Sequence, residues 1–169
     1  MVFGTSSNSP DSGKTFRSKM VKLCKSIGEG EGWREGAVAP GGGDGNLDIV
    51  VWRKFQDGRK GGLVGFAQCK TGNGWDEHLT ELNPRTFCRD FMEQPLVLEP
   101  VKIYMVPNRI SLQVWESHTG NGGILLDRCR ILQYAHPVNA KVLEHVKIWM
   151  AAAVNKQQRL MRKTSRRPR

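Results

Sequence analysis

The chain lacks long apolar runs. No segment approaches the roughly 18 consecutive apolar residues that cross a membrane, and residues 1–14 are rich in serine and glycine without an apolar signal core. We therefore expect no membrane partner, no secretion signal and a cytoplasmic location. With 169 residues and ordinary hydrophobic and charged fractions, the chain has the size of one globular domain with a real core.

Paired cysteines are also missing. The four cysteines are widely scattered and none forms a Cys-x-x-Cys pair, which argues against a zinc site. Because disulfides are rare in cytosolic proteins, we interpret these residues mainly as small buried hydrophobic side chains. They are Cys24, Cys69, Cys88 and Cys129.

Negative charge is scarce relative to positive charge. The chain has 26 Lys and Arg against 16 Asp and Glu, a formal net charge of +10. An excess of this size favours a polyanionic partner, and nucleic acid is the commonest one. Part of the excess lies in residues 159–169, which we expect to form a basic tail. Residues 1–13 are expected to be flexible, and residues 14–158 to form the folded domain.

Apolar periodicity predicts a helix followed by a β-hairpin. Apolar residues at i, i+4, i+7 and i+11 indicate a helix over residues 14–27, which Gly28 would end. Two nearly continuous apolar runs, 47–55 and 63–70, flank an Asp-Gly turn and predict strands that are covered on both faces.

The remaining patterns predict an α/β fold in which a central mixed β-sheet is flanked by helices. The predicted elements are a short strand at 37–39, helical turns between 75 and 91, strands at 101–106 and 123–127, a short helix or strand at 111–116, and a last helix over 139–161.

Three polar residues lie at the strand ends that are distant from the hairpin turn. Asp48 opens the first strand, while Gln68 and Lys70 project to one face at the end of the second. The Asp48 carboxylate, the Gln68 amide oxygen and the backbone carbonyl of Cys69 are the oxygen ligands that Mg²⁺ prefers. The Lys70 ammonium can hold an attacking water or stabilise charge in a transition state.

The same two strands carry a sequence motif. Gly-Asp-Gly-Asn-Leu-Asp-Ile-Val at residues 43–50 and Ala-Gln-Cys-Lys at residues 67–70 resemble the core of the PD-(D/E)xK, restriction-endonuclease-like superfamily. The resemblance is closest to its Mrr-like branch, in which glutamine replaces the usual acid, and it runs from about Phe16 to Lys70. It implies a restriction-endonuclease-like core and a Mg²⁺- or Mn²⁺-dependent endonuclease acting on DNA, in a restriction or anti-phage defence system.

By this resemblance, Asp48 would be the metal ligand, Gln68 the variant second ligand and Lys70 the catalytic lysine. The first helix departs from the family pattern, because Arg17 stands where a metal-binding glutamate is often found. The candidates for the additional acid are Asp44, Glu29 and Glu31.

Basic residues at the hairpin tip and one tryptophan are the predicted nucleic-acid contacts. The expected partner is double-stranded DNA, with a homodimer or a larger defence complex as further possibilities. Trp75 follows the catalytic motif closely and can stack on a base. The basic residues are Arg53, Lys54, Arg59 and Lys60.

Other interpretations stay open. Without the helix acid, the chain can be a catalytically inactive nuclease-fold module that binds nucleic acid or a partner protein. Residues 8–15 echo a phosphate-binding P-loop but lack its first glycine and a preceding strand, so we interpret the match as chance. Asp76, Glu77 and Glu81 are interpreted as an acidic first turn of a helix rather than as catalytic groups.

Overall fold

The computed structural model describes residue 1, residues 15–41 and 43–134, and the scattered residues 144, 147, 148, 150, 151, 154 and 155. The chain divides into two compact units, Met1–Ile131 and Leu132–Arg169. The scattered residues are helical, and the rest of the predicted helix over 139–161 lies outside the described residues. The predicted domain boundaries, at residues 13–14 and 158–159, also lie outside them.

A four-stranded mixed sheet organises the first unit. Its strand order is β1-β2-β3-β4, with β1 antiparallel to β2 and the other two pairs parallel. The expectation of an α/β fold with a mixed sheet flanked by helices is confirmed. In chain order the elements are α1 (Phe16–Ile27), β1 (Ile49–Arg53), β2 (Leu63–Cys69), a 3-10 helix (Trp75–His78), α2 (Pro84–Phe91), β3 (Val101–Met105), α3 (Leu112–Gly122), β4 (Ile124–Leu126) and α4 (Arg128–Tyr134).

The first helix begins and ends where its capping residues dictate. Thr15 accepts a hydrogen bond from the backbone N–H of Ser18 at 3.2 Å, and Gly28 ends α1 with a φ of +82°, a conformation that favours glycine. The apolar stripe of α1 is buried in the core, as its spacing predicts. The prediction of a helix ended by Gly28 is therefore confirmed.

The hairpin strands bury one face more than the other. Val50 and Phe66 are fully buried against the helices, whereas Val51 and Leu63, on the opposite face, are 49% and 62% exposed. The expectation that both faces of these strands are covered is therefore wrong at these positions. A run of apolar residues does not distinguish a strand buried on both faces from one that leaves apolar side chains exposed.

Two apolar clusters stabilise the first unit. The larger lies between α1, α2 and the hairpin, and the smaller lies around β3 and β4. Burying apolar side chains contributes roughly 25 cal/mol per Å² of area, so these clusters hold the sheet against its helices. The smaller cluster consists of Leu79, Tyr104, Val106, Ile110 and Leu125.

The segment after β3 differs in part from expectation. Residues 37–39 form no strand, and residues 112–116 belong to the helix α3, which Ser111 caps. The short helix α4 was not predicted from the sequence; buried Asp127 caps it by accepting a hydrogen bond from the Arg130 N–H at 2.9 Å. In the described part of the chain, every helix falls short of the length and hydrophobicity that a membrane span requires.

Candidate active site

The register of the hairpin brings Asp48, Gln68 and Lys70 to one end of the sheet. The paired register ends at Ile49 opposite Ala67, and Asp48 departs from it, because the Asp48 N–H donates to the Ala67 carbonyl at 2.9 Å. The Asp48 carboxylate accepts from the Cys69 N–H, so Asp48 contacts the residues on both sides of Gln68. Lys70 follows Gln68 by two residues on the same face of the strand, and the side chains of both contact Glu81.

Asp48 is anchored by the backbone of β2. Its Oδ2 accepts a hydrogen bond from the Cys69 N–H at 2.7 Å, and the carboxylate is half-buried. Burial is the main cause that raises the pKa of Asp48, and the neighbouring Asp44 carboxylate adds to it, while the Cys69 N–H and Lys70 oppose the rise. A second carboxylate this close makes Asp48 a position where a bound cation would be favourable.

Gln68 is buried with only one end of its amide hydrogen-bonded. The residue is 1% exposed, and its Nε2 donates to Glu81 Oε2 at 2.9 Å. Its Oε1 is buried without a hydrogen-bond partner. Leaving such an acceptor unsatisfied costs about 1–3 kcal/mol, so a polar partner at this oxygen would be favourable.

Glu81 joins the catalytic candidates to the segment that follows the hairpin. Its Oε2 accepts from Lys70 Nζ at 3.0 Å, and its Oε1 lies 2.5 Å from His78 Nδ1. Burial opposes ionisation, but His78, Lys70 and Gln68 outweigh it and lower the pKa of Glu81 to about 2. The carboxylate is therefore ionised at neutral pH.

The interpretation of Glu81 as a residue of an acidic helix turn is wrong. Asp76 and Glu77 occupy the first turn of the 3-10 helix, whereas the Glu81 carboxylate contacts side chains of β2 and its end. The three-residue spacing of His78 and Glu81 indicates a contact between them, because residues three apart in a helical segment lie on one face. Their link to Gln68 and Lys70 depends on tertiary structure.

The oxygen atoms at this end of the hairpin are chemically suited to a hard divalent cation. The Asp44 and Asp48 carboxylates interact with each other, and these carboxylates, the Gln68 amide and the Cys69 backbone carbonyl are the oxygen types that Mg²⁺ accepts while keeping several waters. Within residues 15–41 and 43–134 and the scattered described positions, no group of three or more His, Cys, Asp and Glu side chains is arranged to hold a metal ion. A cation at this position would therefore need the amide and backbone oxygens in addition to the two carboxylates.

The structure does not bring Glu29 to Asp48. Glu29 is 6% exposed and accepts backbone hydrogen bonds from Gly61 at 2.7 Å, Gly62 at 3.3 Å and Val97 at 3.1 Å. Burial opposes its ionisation, but these N–H donors hold its pKa below the usual range. Glu29 therefore fixes the turn end of the hairpin, which lies about 20 Å from the end of β2 at ~3.3 Å per residue.

Glu31 and the first turn of α1 supply no further acid beside Asp48 either. Glu31 pairs with Lys60 at 2.5 Å, near the hairpin turn. The first turn of α1 has no acidic residue, and Arg17 is exposed there. Of the three acids considered as additions to the site, only Asp44 lies beside Asp48.

The basic residues of the hairpin tip are exposed. Arg59 pairs with Asp57 at 3.8 Å, and Lys60 pairs with Glu31. The Lys54 ammonium lies beside Gly28. A Cβ on residue 28 would come within 3.1 Å of the Lys54 Nζ atom. This surface, which we call the basic tip, consists of Arg53, Lys54, Arg59 and Lys60 and lies at the end of the hairpin opposite to Asp48.

Trp75 packs against the smaller apolar cluster. Its ring centroid lies 5.3 Å from that of His118 in an edge-on contact and 6.3 Å from that of Tyr104. Its backbone carbonyl accepts the Tyr104 hydroxyl at 2.6 Å. The half-buried indole thus fixes the 3-10 helix, and with it His78, against the sheet.

Comparison of the chain with protein-family models, with curated proteins and with solved structures found no match.

Proposed function

We propose that this protein is a metal-dependent endonuclease that hydrolyses phosphodiester bonds of DNA on a restriction-endonuclease-like core. The observation that carries the proposal is the meeting of Asp48, Gln68 and Lys70 at one end of the hairpin, where Asp48 contacts the backbone of Ala67 and Cys69 and the Gln68 amide oxygen is unpartnered. The net charge of +10 supports a polyanionic substrate.

The residues at this strand end would have two roles, binding a cation and stabilising negative charge on the phosphate. Asp48, Gln68 and the Cys69 carbonyl would hold Mg²⁺ or Mn²⁺, with Asp44 beside them as the additional acid. The bound ion would neutralise phosphate charge and lower the pKa of a coordinated water. The Cys69 N–H fixes Asp48 at 2.7 Å, so this carboxylate is oriented before a ligand arrives.

Lys70 supplies the positive charge that the reaction requires from the protein. Hydrolysis forms a bond between a water oxygen and phosphorus, breaks the bond to the leaving sugar oxygen, and transfers one water proton to that oxygen. Negative charge grows on the phosphate oxygens during this exchange, and a fixed ammonium stabilises it. The 3.0 Å ion pair with Glu81 holds the Lys70 ammonium at the edge of the site.

The spacing between the site and the basic tip suits double-stranded DNA. The two ends of the hairpin lie about 20 Å apart, which is within one helical turn of duplex, about 34 Å. A duplex bound at Asp48 can therefore extend to Arg53, Lys54 and Arg59, whose charges attract its phosphates.

Replacement of Lys70 tests this proposal. We expect Lys70→Met to lower cleavage by about a hundredfold or more, since it removes charge stabilisation from the reacting phosphate, and to leave DNA binding within a few-fold of the original. The measurement is single-turnover cleavage of supercoiled, linear and single-stranded DNA and of RNA, each with and without Mg²⁺.

The matched control is Lys25→Met, which removes one exposed charge from the last turn of α1. It should cleave like the original protein. Retention of full cleavage by Lys70→Met, with contaminating nucleases excluded, would contradict the proposed mechanism.

A second candidate is a catalytically inactive module that binds nucleic acid or a partner protein. Two observations favour it: the first turn of α1 has no acid, and Glu81 engages both Gln68 and Lys70. Inactivity on every substrate across a series of Mg²⁺, Mn²⁺ and Ca²⁺, with DNA binding intact, would select this candidate.

The proposed setting follows from the same resemblance. We propose a cytoplasmic protein of a restriction or anti-phage defence system that acts as a homodimer or with a larger defence complex. Sedimentation of the protein with and without DNA tests the homodimer.

A further inference from the structure

The orientation of the Gln68 amide is set by its neighbour. The two ends of an amide differ, because nitrogen only donates hydrogen bonds and oxygen only accepts them. An ionised carboxylate only accepts, so Glu81 Oε2, at 2.9 Å, selects the Nε2 end. The Oε1 end is left without a hydrogen-bond partner.

Glu81 is itself held by two further groups. Lys70 Nζ contacts the same Oε2 at 3.0 Å, and His78 Nδ1 contacts Oε1 at 2.5 Å. Both oxygens of the carboxylate thus have polar partners that favour its ionised form. The Glu81 carboxylate is therefore a fixed hydrogen-bond acceptor for the Gln68 amide.

The free oxygen belongs to a residue that Asp48 flanks. The Asp48 N–H donates to the Ala67 carbonyl at 2.9 Å and its Oδ2 accepts from the Cys69 N–H at 2.7 Å, so Asp48 contacts the residues on both sides of Gln68. An amide oxygen is a neutral ligand that Mg²⁺ and Mn²⁺ accept beside a carboxylate. Which end of the amide faces the cation therefore decides whether Gln68 can bind it.

We propose that Glu81 is the positioning residue that allows an amide to serve as a metal ligand at position 68, by binding Nε2 and leaving Oε1 for the cation beside Asp48. The inference rests on the proposed function. If the residue at position 68 bound the cation independently of Glu81, an acid there would be tolerated. An acid at position 68 instead harms the site while Glu81 is present, because two carboxylates would then meet where an amide and a carboxylate now pair.

Exchange of the two residues tests the inference. The variants are Gln68→Glu, Glu81→Gln and the exchange variant Gln68→Glu/Glu81→Gln, which restores one carboxylate and one amide. We expect each single substitution to weaken Mn²⁺ binding by about tenfold or more, and the exchange variant to return it to within about threefold of the original. Mn²⁺ affinity is measured by titration calorimetry, with circular dichroism and thermal unfolding as checks on folding.

The controls separate this inference from the proposed function. Glu77→Gln removes the same charge from an exposed position on the 3-10 helix and should leave Mn²⁺ affinity unchanged. Asp48→Asn should weaken Mn²⁺ binding whether or not Glu81 orients the Gln68 amide. Unaltered Mn²⁺ binding in Asp48→Asn would overturn the proposed metal site, whereas weakened binding there with unaltered binding in Glu81→Gln overturns the role of Glu81 alone.

Two other outcomes decide the inference. If Gln68→Glu binds Mn²⁺ as tightly as the original protein or more tightly, the acid at position 68 does no harm and the inference falls. If Gln68→Glu alone fails to fold, recovery of folding and binding in the exchange variant supports the coupling. An exchange variant that stays unfolded, or that binds no better than the single variants, overturns it.

Discussion

Two glutamates at opposite ends of the hairpin have the same charge and different partners. Glu29, at the turn end, accepts three backbone N–H groups and is 6% exposed. Glu81, at the other end, contacts three side chains, and its own side chain is 33% exposed. Both have a lowered pKa, because in each case the hydrogen-bond donors outweigh the effect of burial.

The difference between the partners separates a carboxylate bound by backbone from one bound by side chains of the proposed site. Backbone donors of Gly61, Gly62 and Val97 are fixed by the chain path, so Glu29 holds a turn in place and has little else to offer a ligand. Glu81 instead contacts the side chains of Gln68 and Lys70, two residues of the proposed site, so its position would affect the proposed chemistry. A lowered pKa by itself does not distinguish the two roles.

The largest effect on stability is expected at the turn end. Glu29→Gln keeps the shape of the side chain but replaces one acceptor oxygen by a donor nitrogen that faces N–H groups. We expect the free energy of unfolding to fall by about 3 kcal/mol, as for loss of a buried hydrogen-bonded charge. Urea denaturation followed by circular dichroism measures this change.

Glu81→Gln is the control for that prediction, since it makes the same chemical change where the carboxylate is more exposed. Its loss of stability should be clearly smaller than that of Glu29→Gln, because solvent screens exposed charges. An equal or larger loss at Glu81 would contradict the contrast between the two ends.

The stability that Glu29 contributes should depend on pH. Its folded pKa lies below the ordinary value, about 4.3 for glutamate, so near neutral pH both the folded and the unfolded chain carry the charge and the contribution is complete. As the pH falls through about 4.3, the unfolded chain takes up the proton first and the contribution is lost until the folded pKa is passed.

The measurement is the difference in unfolding free energy between the original protein and Glu29→Gln, at several values from pH 7 to pH 3. We expect this difference to shrink below about pH 4.5. The contributions of the other acidic groups to the pH dependence cancel, because both proteins contain these groups. A difference that stays constant over the whole range would show that the Glu29 charge does not stabilise the turn.

The smallest effect is expected for the neighbouring exposed acid. Glu31 pairs with Lys60, and each side chain is nearly half exposed. Because exposed ion pairs contribute little, Glu31→Gln should change the free energy of unfolding by less than about 0.5 kcal/mol, measured as for Glu29. A loss comparable to that of Glu29→Gln would mean that the turn depends on surface charge rather than on buried hydrogen bonds.

Local patterns in the sequence predicted much of the fold. The stripe of α1, its end at Gly28 and the hairpin around the Asp-Gly turn depend on residues that are near each other in the chain. The shared face of Gln68 and Lys70 follows from strand alternation. The metal ligands and the catalytic lysine stay a prediction that the proposed experiments test.

Other features required contacts between distant segments. No sequence pattern separates Glu29 from Glu31, because what distinguishes them is the backbone of Gly61, Gly62 and Val97, up to 68 residues away. The exposed face at Val51 and Leu63 was likewise not predictable, since an apolar run looks the same whether one or both faces are buried.

The sequence by itself determined the hairpin, the helix before it and the side of β2 on which Gln68 and Lys70 lie, because alternation and periodicity are properties of the local backbone. Only the tertiary structure decided that Glu81 contacts Gln68 and Lys70, and that Glu29 is hydrogen-bonded to the backbone of the turn. A hydrogen bond needs its atoms within about 3 Å, and no local pattern fixes that distance between separate segments.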